Sequence, residues 1–169
     1  VAGNYLGTDV TGLLDVTTGD DGIVVNGANN VIGGTTAADR NVIAGINDSG
    51  FELQGSSNTT IQGNYIGIGA DGATPVMNSV SIYAASGTQG LMIGGATVGA
   101  GNVFGKHNIG IWFVGTTNST IAGNLIGLNA AGTSGFDSGT GIVLMSSSTG
   151  NTIGGALSVT RNEIGRAHV

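Results

Sequence analysis

The segment Gly3-Asn4-Tyr5-Leu6-Gly7 recurs as Gly63-Asn64-Tyr65-Ile66-Gly67 and again as Gly123-Asn124-Leu125-Ile126-Gly127, at equal spacing both times. Two further families keep that period to within one position. Ile32-Gly33-Gly34 returns as Ile93-Gly94-Gly95 and Ile153-Gly154-Gly155, and Arg40-Asn41-Val42-Ile43 returns as Gly101-Asn102-Val103-Phe104 and Arg161-Asn162-Glu163-Ile164. A chain with such a period solves one local folding problem several times over, and each copy must bury its apolar face against the next.

Two shorter units lie inside each of these long ones, each opening on an alternating apolar strand. These are Gly22-Ile23-Val24-Val25, Gly50-Phe51-Glu52-Leu53, Ser79-Val80-Ser81-Ile82, Gly110-Ile111-Trp112-Phe113 and Gly141-Ile142-Val143-Leu144, at nearly even intervals. A second short strand follows, as in Asn58-Thr59-Thr60-Ile61, and a third, as in Asn102-Val103-Phe104. Composition excludes a helical version of the repeat. The chain holds 34 glycines and only 8% charged residues, so strong helix formers are scarce and each interior glycine would cost a helix about 0.5–1 kcal/mol. Three short strands per unit, punctuated by Gly, Asn and Ser, predict an all-β fold: a right-handed, single-stranded parallel β-helix of five to six coils over residues 1–163, with coils starting near 22, 50, 80, 110 and 141. The period-two alternation then points Ile23/Val25, Phe51/Leu53, Val80/Ile82, Ile111/Phe113 and Ile142/Leu144 inward as stacked ladders. Such a stack leaves unpaired coils at both ends, so poor solubility without caps is expected.

One asparagine opens the third strand of six successive turns: Asn4, Asn41, Asn64, Asn102, Asn124 and Asn162. An amide donates and accepts, so a stack of them is expected to form a hydrogen-bonded ladder at a corner. Asn30, Asn58, Asn118 and Asn151 suggest a second, interrupted column. The long connections from Gly7 to Asp21, Gly67 to Ser79 and Gly127 to Thr140 each carry a glycine at one place, Gly12, Gly72 and Gly132, where a turn with positive φ is expected.

The last six residues, 164–169, match a translation of ATCGGAAGAGCACACGTC, which resembles a short-read sequencing adapter. That tail is expected to be an artefact at the end of a fragment of a longer gene, assembled from environmental DNA, and Arg166 and His168 carry no functional weight. A net charge of −6 with four Lys and Arg leaves no electrostatic footprint for nucleic acid. No apolar run is long enough for a membrane-spanning helix, and without cysteine there is no thiol chemistry.

For chemistry, Asp20 and Asp21 are the best carboxylate pair, set just before a strand. They resemble the aspartates of polygalacturonase-like glycosidases, whose two acids flank the scissile bond. The Asn-Thr-Asp, Gly-His-Gly and Arg-Ile-Lys motifs of those enzymes do not occur here. Asp9, Asp15, Asp39, Asp48, Glu52, Asp71 and Asp137 fall at different repeat positions and are not expected to form one site. Asp9 and Asp71 are candidate calcium contacts, although exposed turn aspartates need no metal; no other cofactor is expected. His107 is expected in a loop. Arg40 and Arg161 recur at one repeat position, which points to a structural role such as bonding carbonyls of the next turn. The outward columns of the first strand read Val24, Glu52, Ser81, Trp112, Val143 and Asn26, Gln54, Tyr83, Val114, Met145. Tyr83 and Trp112 on adjacent coils, with Glu52 and Gln54, are candidate sugar-stacking or partner-binding residues.

Asn151-Thr152-Ile153-Gly154-Gly155 and Ile61-Gln62-Gly63-Asn64-Tyr65-Ile66-Gly67 resemble the repeats strung in long arrays in large bacterial surface and secreted proteins. The likeness covers residues 1 to about 163, with Lys106-His107-Asn108 and the region around Thr88 departing from it. It implies a pectate-lyase-like fold and an extracellular or cell-surface setting, and no definite activity. The leading expectation is a non-catalytic structural or adhesive segment that contacts a polysaccharide or cell-surface glycan and stacks on flanking coils of its own full-length chain. The alternative is a fragment of a polysaccharide lyase, glycoside hydrolase or epimerase whose active coils lie elsewhere. Ice binding would need a flat array of outward threonines, which these columns lack.

Overall fold

The computed structural model describes residues 1–16 and 19–165. Every named strand pairing in it is parallel, and each strand bonds to its equivalent one coil away. Three sheets result. The first holds the longest strands, β2 (Ile23–Val25), β5 (Ser49–Leu53), β8 (Asn78–Ala84), β11 (His107–Val114) and β14 (Thr140–Met145). The second stacks β3 (Val31–Gly33), β6 (Thr60–Gln62), β9 (Met92–Gly94), β12 (Thr120–Ala122) and β15 (Thr152–Ile153). The third stacks β1 (Tyr5–Leu6), β4 (Val42–Ile43), β7 (Tyr65–Ile66), β10 (Val103–Phe104), β13 (Leu125–Ile126) and β16 (Glu163–Ile164). The only helical pieces among the described residues are single 3-10 turns at Ala37–Asp39 and Ser158–Thr160.

The fold is therefore an all-β parallel solenoid with three strands per turn, of about four turns rather than five to six. The first sheet shows why: its five strands are separated by four rises of the chain, and the third sheet adds only part of a coil beyond them. The core is built of ladders. Ile23, Phe51, Ile82, Ile111 and Ile142 align in the first sheet, Ile32, Ile61, Ile93, Ile121 and Ile153 in the second, and Leu6, Ile43, Ile66, Phe104, Ile126 and Ile164 in the third. The middle members are fully buried, whereas Leu144 and Ile153 in the last coil are exposed because no described residue stacks on them.

One coil sits in a different register from the sequence reading. Phe51 aligns with Ile82 and Leu53 with Ala84, so Ile82/Ala84 face inward where Val80/Ile82 were expected. Ser81 is correspondingly not an outward residue. It takes the place of Gly22, Gly50, Gly110 and Gly141, is fully buried, and its hydroxyl finds no partner. The extra residues of the preceding long loop move this strand along, and apolar alternation alone cannot count them.

The six asparagines of the third corner form one continuous column. Each side-chain N–H donates to the Oδ1 of the next, from Asn4 to Asn41 at 2.9 Å, to Asn64 at 2.8 Å, to Asn102 at 3.1 Å, to Asn124 at 3.0 Å and to Asn162 at 2.9 Å. The same Oδ1 atoms accept the backbone N–H of the preceding asparagine, and Asn102 Nδ2 also donates to the Ile61 carbonyl at 2.8 Å. The four middle amides, Asn41, Asn64, Asn102 and Asn124, are buried with both side-chain polar atoms bonded. The ladder explains Ile-Gly-Gly: Gly33 (φ +85°) lies over Asn64, and a Cβ there would come within 2.7 Å of Asn64 Nδ2. The second column is not Asn30, Asn58, Asn118 and Asn151. The left-handed corner falls at Asn29, Asn58 and Asn118, with glycines Gly90 and Gly150 in alternate coils, and Asn151 instead accepts the Ser119 N–H through its side chain.

The long loops stack on each other across a skipped coil, with Ala70 N–H bonded to Gly12 O and Ala130 N–H to Gly72 O, both at 2.9 Å. At the far end, Ile164 pairs with Ile126, and Gly165 N–H bonds to Ile126 O. Residues 166–169 of the suspected tail, Arg166 and His168 among them, lie outside the described residues.

Candidate functional site

The outer face of the first sheet carries one column that reads Val24, Glu52, Tyr83, Trp112 and Val143. Tyr83 and Glu52 share it because the third coil is shifted, so the aromatic pair sits directly above the carboxylate. The Tyr83 and Trp112 rings meet edge to face, with centroids 5.4 Å apart and planes at 65°. Both are half-buried, and the indole N–H is shielded from solvent without a hydrogen-bond partner. With Asp48, Ser49, Glu52 and Val80 they line a cleft of about 250 Å³, smaller than the roughly 300–1,000 Å³ typical of drug-sized ligands. Gln54, exposed at the rim, donates to Glu52 Oε1 at 2.7 Å.

The carboxylates here do not behave as the Asp20–Asp21 pair of the sequence reading. Asp21 accepts the Ser49 N–H at 3.2 Å and lies near Glu52, whose charge acts on it. Desolvation first, then the hydrogen bond and charge of Glu52, and lastly the charge of Asp48, push the Asp21 carboxyl up to about 6 against the lowering effect of the Ser49 N–H. The expectation that the remaining acids stay dispersed is overturned for two of them: Asp48 and Glu52 converge near Asp21. Coil length is the reason, since one turn of the chain carries Asp20 onto Asp48, and the Asp48 N–H bonds to Asp20 O.

The other candidates lie elsewhere. Asp9 accepts the Thr11 hydroxyl at 2.8 Å and the Leu13 and Leu14 N–H groups at 3.1 and 3.2 Å. Asp71 accepts the Ala73 and Thr74 N–H groups at 2.9 and 2.8 Å and the Thr74 hydroxyl at 2.7 Å. Asp9 is held below the usual carboxylate range chiefly by the Thr11 hydroxyl, and Asp71 chiefly by the Thr74 N–H. Both close their own loops, as Asn129 does in the third copy. Among the described residues no group of three or more acids and histidines is placed to hold a metal.

His107 is not in a loop. It begins β11, aligned with Asn78, and is 1% exposed with neither ring nitrogen hydrogen-bonded in good geometry. Burial lowers its pKa to about 4, only partly opposed by the nearby Gly105 carbonyl. Arg40 reaches the next turn, its Nε donating to Gly63 O at 3.3 Å and its guanidinium lying 4.0 Å over the Tyr65 ring. Arg161 instead meets Glu163 in an exposed ion pair at 3.5 Å.

No family model matches the chain, and no curated protein or solved structure is significantly similar to it. What stands is the solenoid itself; kinship with pectate-lyase-like or bacterial surface repeats rests on the repeat motif alone.

Proposed function

We propose that this chain is a non-catalytic structural and adhesive segment of a larger exported bacterial surface protein, and that it contacts glycans through the Tyr83–Trp112 face. The observation that carries the reading is the register-matched aromatic pair above a carboxylate and an amide on an otherwise regular sheet. Aromatic faces stack on the apolar faces of sugar rings, while Glu52 and Gln54 offer hydroxyl partners at the rim. The regular ladders supply a rigid rod suited to display, and the repeat likeness supports an extracellular or cell-surface setting. Flanking coils of the full-length chain are the natural partners of its two open ends.

The Asp21–Glu52 pair favours a second reading, a fragment of a polysaccharide lyase, hydrolase or epimerase. Glycan-array binding by the chain, compared with Trp112→Ala, tests the leading reading: the variant is expected to lose signal on the glycans the parent binds. Equal binding by both removes the contact, and release of shortened oligosaccharides would establish the second reading.

A further inference from the structure

We infer that the Tyr83–Trp112 cleft selects an amine-bearing saccharide, a polymer of unacetylated amino sugars, over neutral or uronate-containing glycans. This rests on the reading of the face as a glycan contact and names the ligand class for it.

Charge is the first support. Asp48 and Glu52 line the cleft, Asp21 joins Glu52 at its edge, and no Lys, Arg or His is among the lining residues. The described basic side chains are engaged or placed elsewhere: Arg40 on Tyr65, Arg161 on Glu163, His107 inside the core, and Lys106 at the turn into β11. Like charges facing one another without a counter-ion are unfavourable, and the Asp21 carboxyl is pushed up to about 6, first by desolvation and then by Glu52. A bound ammonium would lower it again and displace the proton that Asp21 carries below that pH. A uronate, by contrast, would bring another carboxylate into an uncompensated acidic site.

Shape and aromatic chemistry point to the same ligand. The two rings and the Asp48 and Glu52 carboxylates line the same cleft, so a ring carrying an ammonium can lie on the aromatics while its nitrogen reaches the carboxylates. A cation beside Trp or Tyr gains further from the ring quadrupole. The column continues through Val24 and Val143 along the stacking direction, which suits an extended polymer rather than a single compact ion.

Calorimetric titration with four probes tests the inference: a glucosamine oligomer at a pH where its amines are protonated, its N-acetylated counterpart, an oligogalacturonate, and an oligolysine. The glucosamine oligomer is expected to bind about tenfold or more tightly than the N-acetylated one, with release of protons from the protein, and the oligogalacturonate not to bind. Glu52→Gln should weaken the amine oligomer by about tenfold, and Trp112→Ala by about three- to thirtyfold. Trp112→Phe, which keeps an aromatic face, should fall between Trp112→Ala and the parent, and thermal melts of each variant separate lost contacts from lost folding. Equal affinity for the amine and N-acetyl oligomers, with both sensitive to Trp112, overturns the cation preference and leaves the glycan contact standing. No saccharide binding overturns both. Oligolysine binding as tightly and competing for the same site overturns the saccharide identity, and amine binding indifferent to both Glu52 and Trp112 overturns the location.

Discussion

Replacing His107 by leucine changes how stability responds to acid, because a buried imidazole without a well-formed hydrogen bond resists protonation in the folded chain only. Its pKa falls from 6.5 to about 4 on folding, mainly through desolvation. The unfolded chain therefore takes up a proton as pH drops below about 6.5, while the folded chain does not until about 4, so stability is lost across that window and the loss is complete below it. Each tenfold change in proton affinity is worth about 1.4 kcal/mol, so the full effect is about 3 kcal/mol, of which about 2–2.5 kcal/mol has accrued by pH about 4.5. Asp21 acts with the opposite sign. Its raised pKa means that the folded chain binds a proton more readily, so acidification through 6 towards 3.8 favours folding and masks part of the histidine effect in the parent. The difference between parent and His107→Leu isolates the histidine, since Asp21 and any packing change from the substitution contribute equally at every pH. Urea unfolding followed by circular dichroism at pH about 7 and about 4.5 provides the measurement. The variant is expected to lose about 2–2.5 kcal/mol less than the parent between those two conditions. Parallel losses would refute the reasoning and show that water or a protein group satisfies the ring in solution.

Asn64→Ala removes the acceptor of the Asn41 N–H and Nδ2 and the side-chain donor to the Ile32 carbonyl, and leaves Asn102 Oδ1 only the backbone N–H of residue 64, and should cost at least about 2 kcal/mol in urea titration. Gly94→Ala places a Cβ against the Ala122 carbonyl and the Asn124 amide at φ +84°, and is expected to lower stability by at least about 2 kcal/mol; an unchanged melting midpoint would contradict the ladder geometry. Glu52→Gln removes one cause of the raised Asp21 pKa and leaves the larger one, desolvation. Carboxyl NMR titration should find Asp21 below about 6 and still above 3.8. Arg40→Ala should cost about 1 kcal/mol through its carbonyl bond and ring contact, whereas Arg161→Ala, whose ion pair is exposed, should stay within about 0.5 kcal/mol of the parent.

Much of the candidate site was readable residue by residue, and its assembly was not. Tyr83, Trp112, Glu52 and Gln54 stand out because they break an otherwise uniform outer pattern. Asp48 and Ser49 do not, since each is ordinary for a turn entering a strand. They join the site because successive turns differ in length: the one that sets Glu52 on Val24 is shorter than the one that sets Tyr83 on Glu52. His107 shows the same limit from the other side: flanked by Lys106 and Asn108 it reads as a loop, yet the segment at Ser138–Gly139 and the end of the third sheet close over it.

The recurrence of Gly-Asn-Tyr-Leu-Gly and Ile-Gly-Gly by itself determined that the chain winds into a parallel solenoid, because equal units with one apolar face have no other way to bury it. It also determined which asparagines stack, since a column of amides needs only the same residue at the same phase of every turn. Tertiary structure alone decided the register of the third coil, the left-handed corner at Asn29 rather than Asn30, and the meeting of Asp21 with Glu52. These depend on how much chain each loop takes up before the next strand docks. That length is set by turn geometry and loop-on-loop bonds such as Ala70 to Gly12, and alternation along a strand records phase but not length.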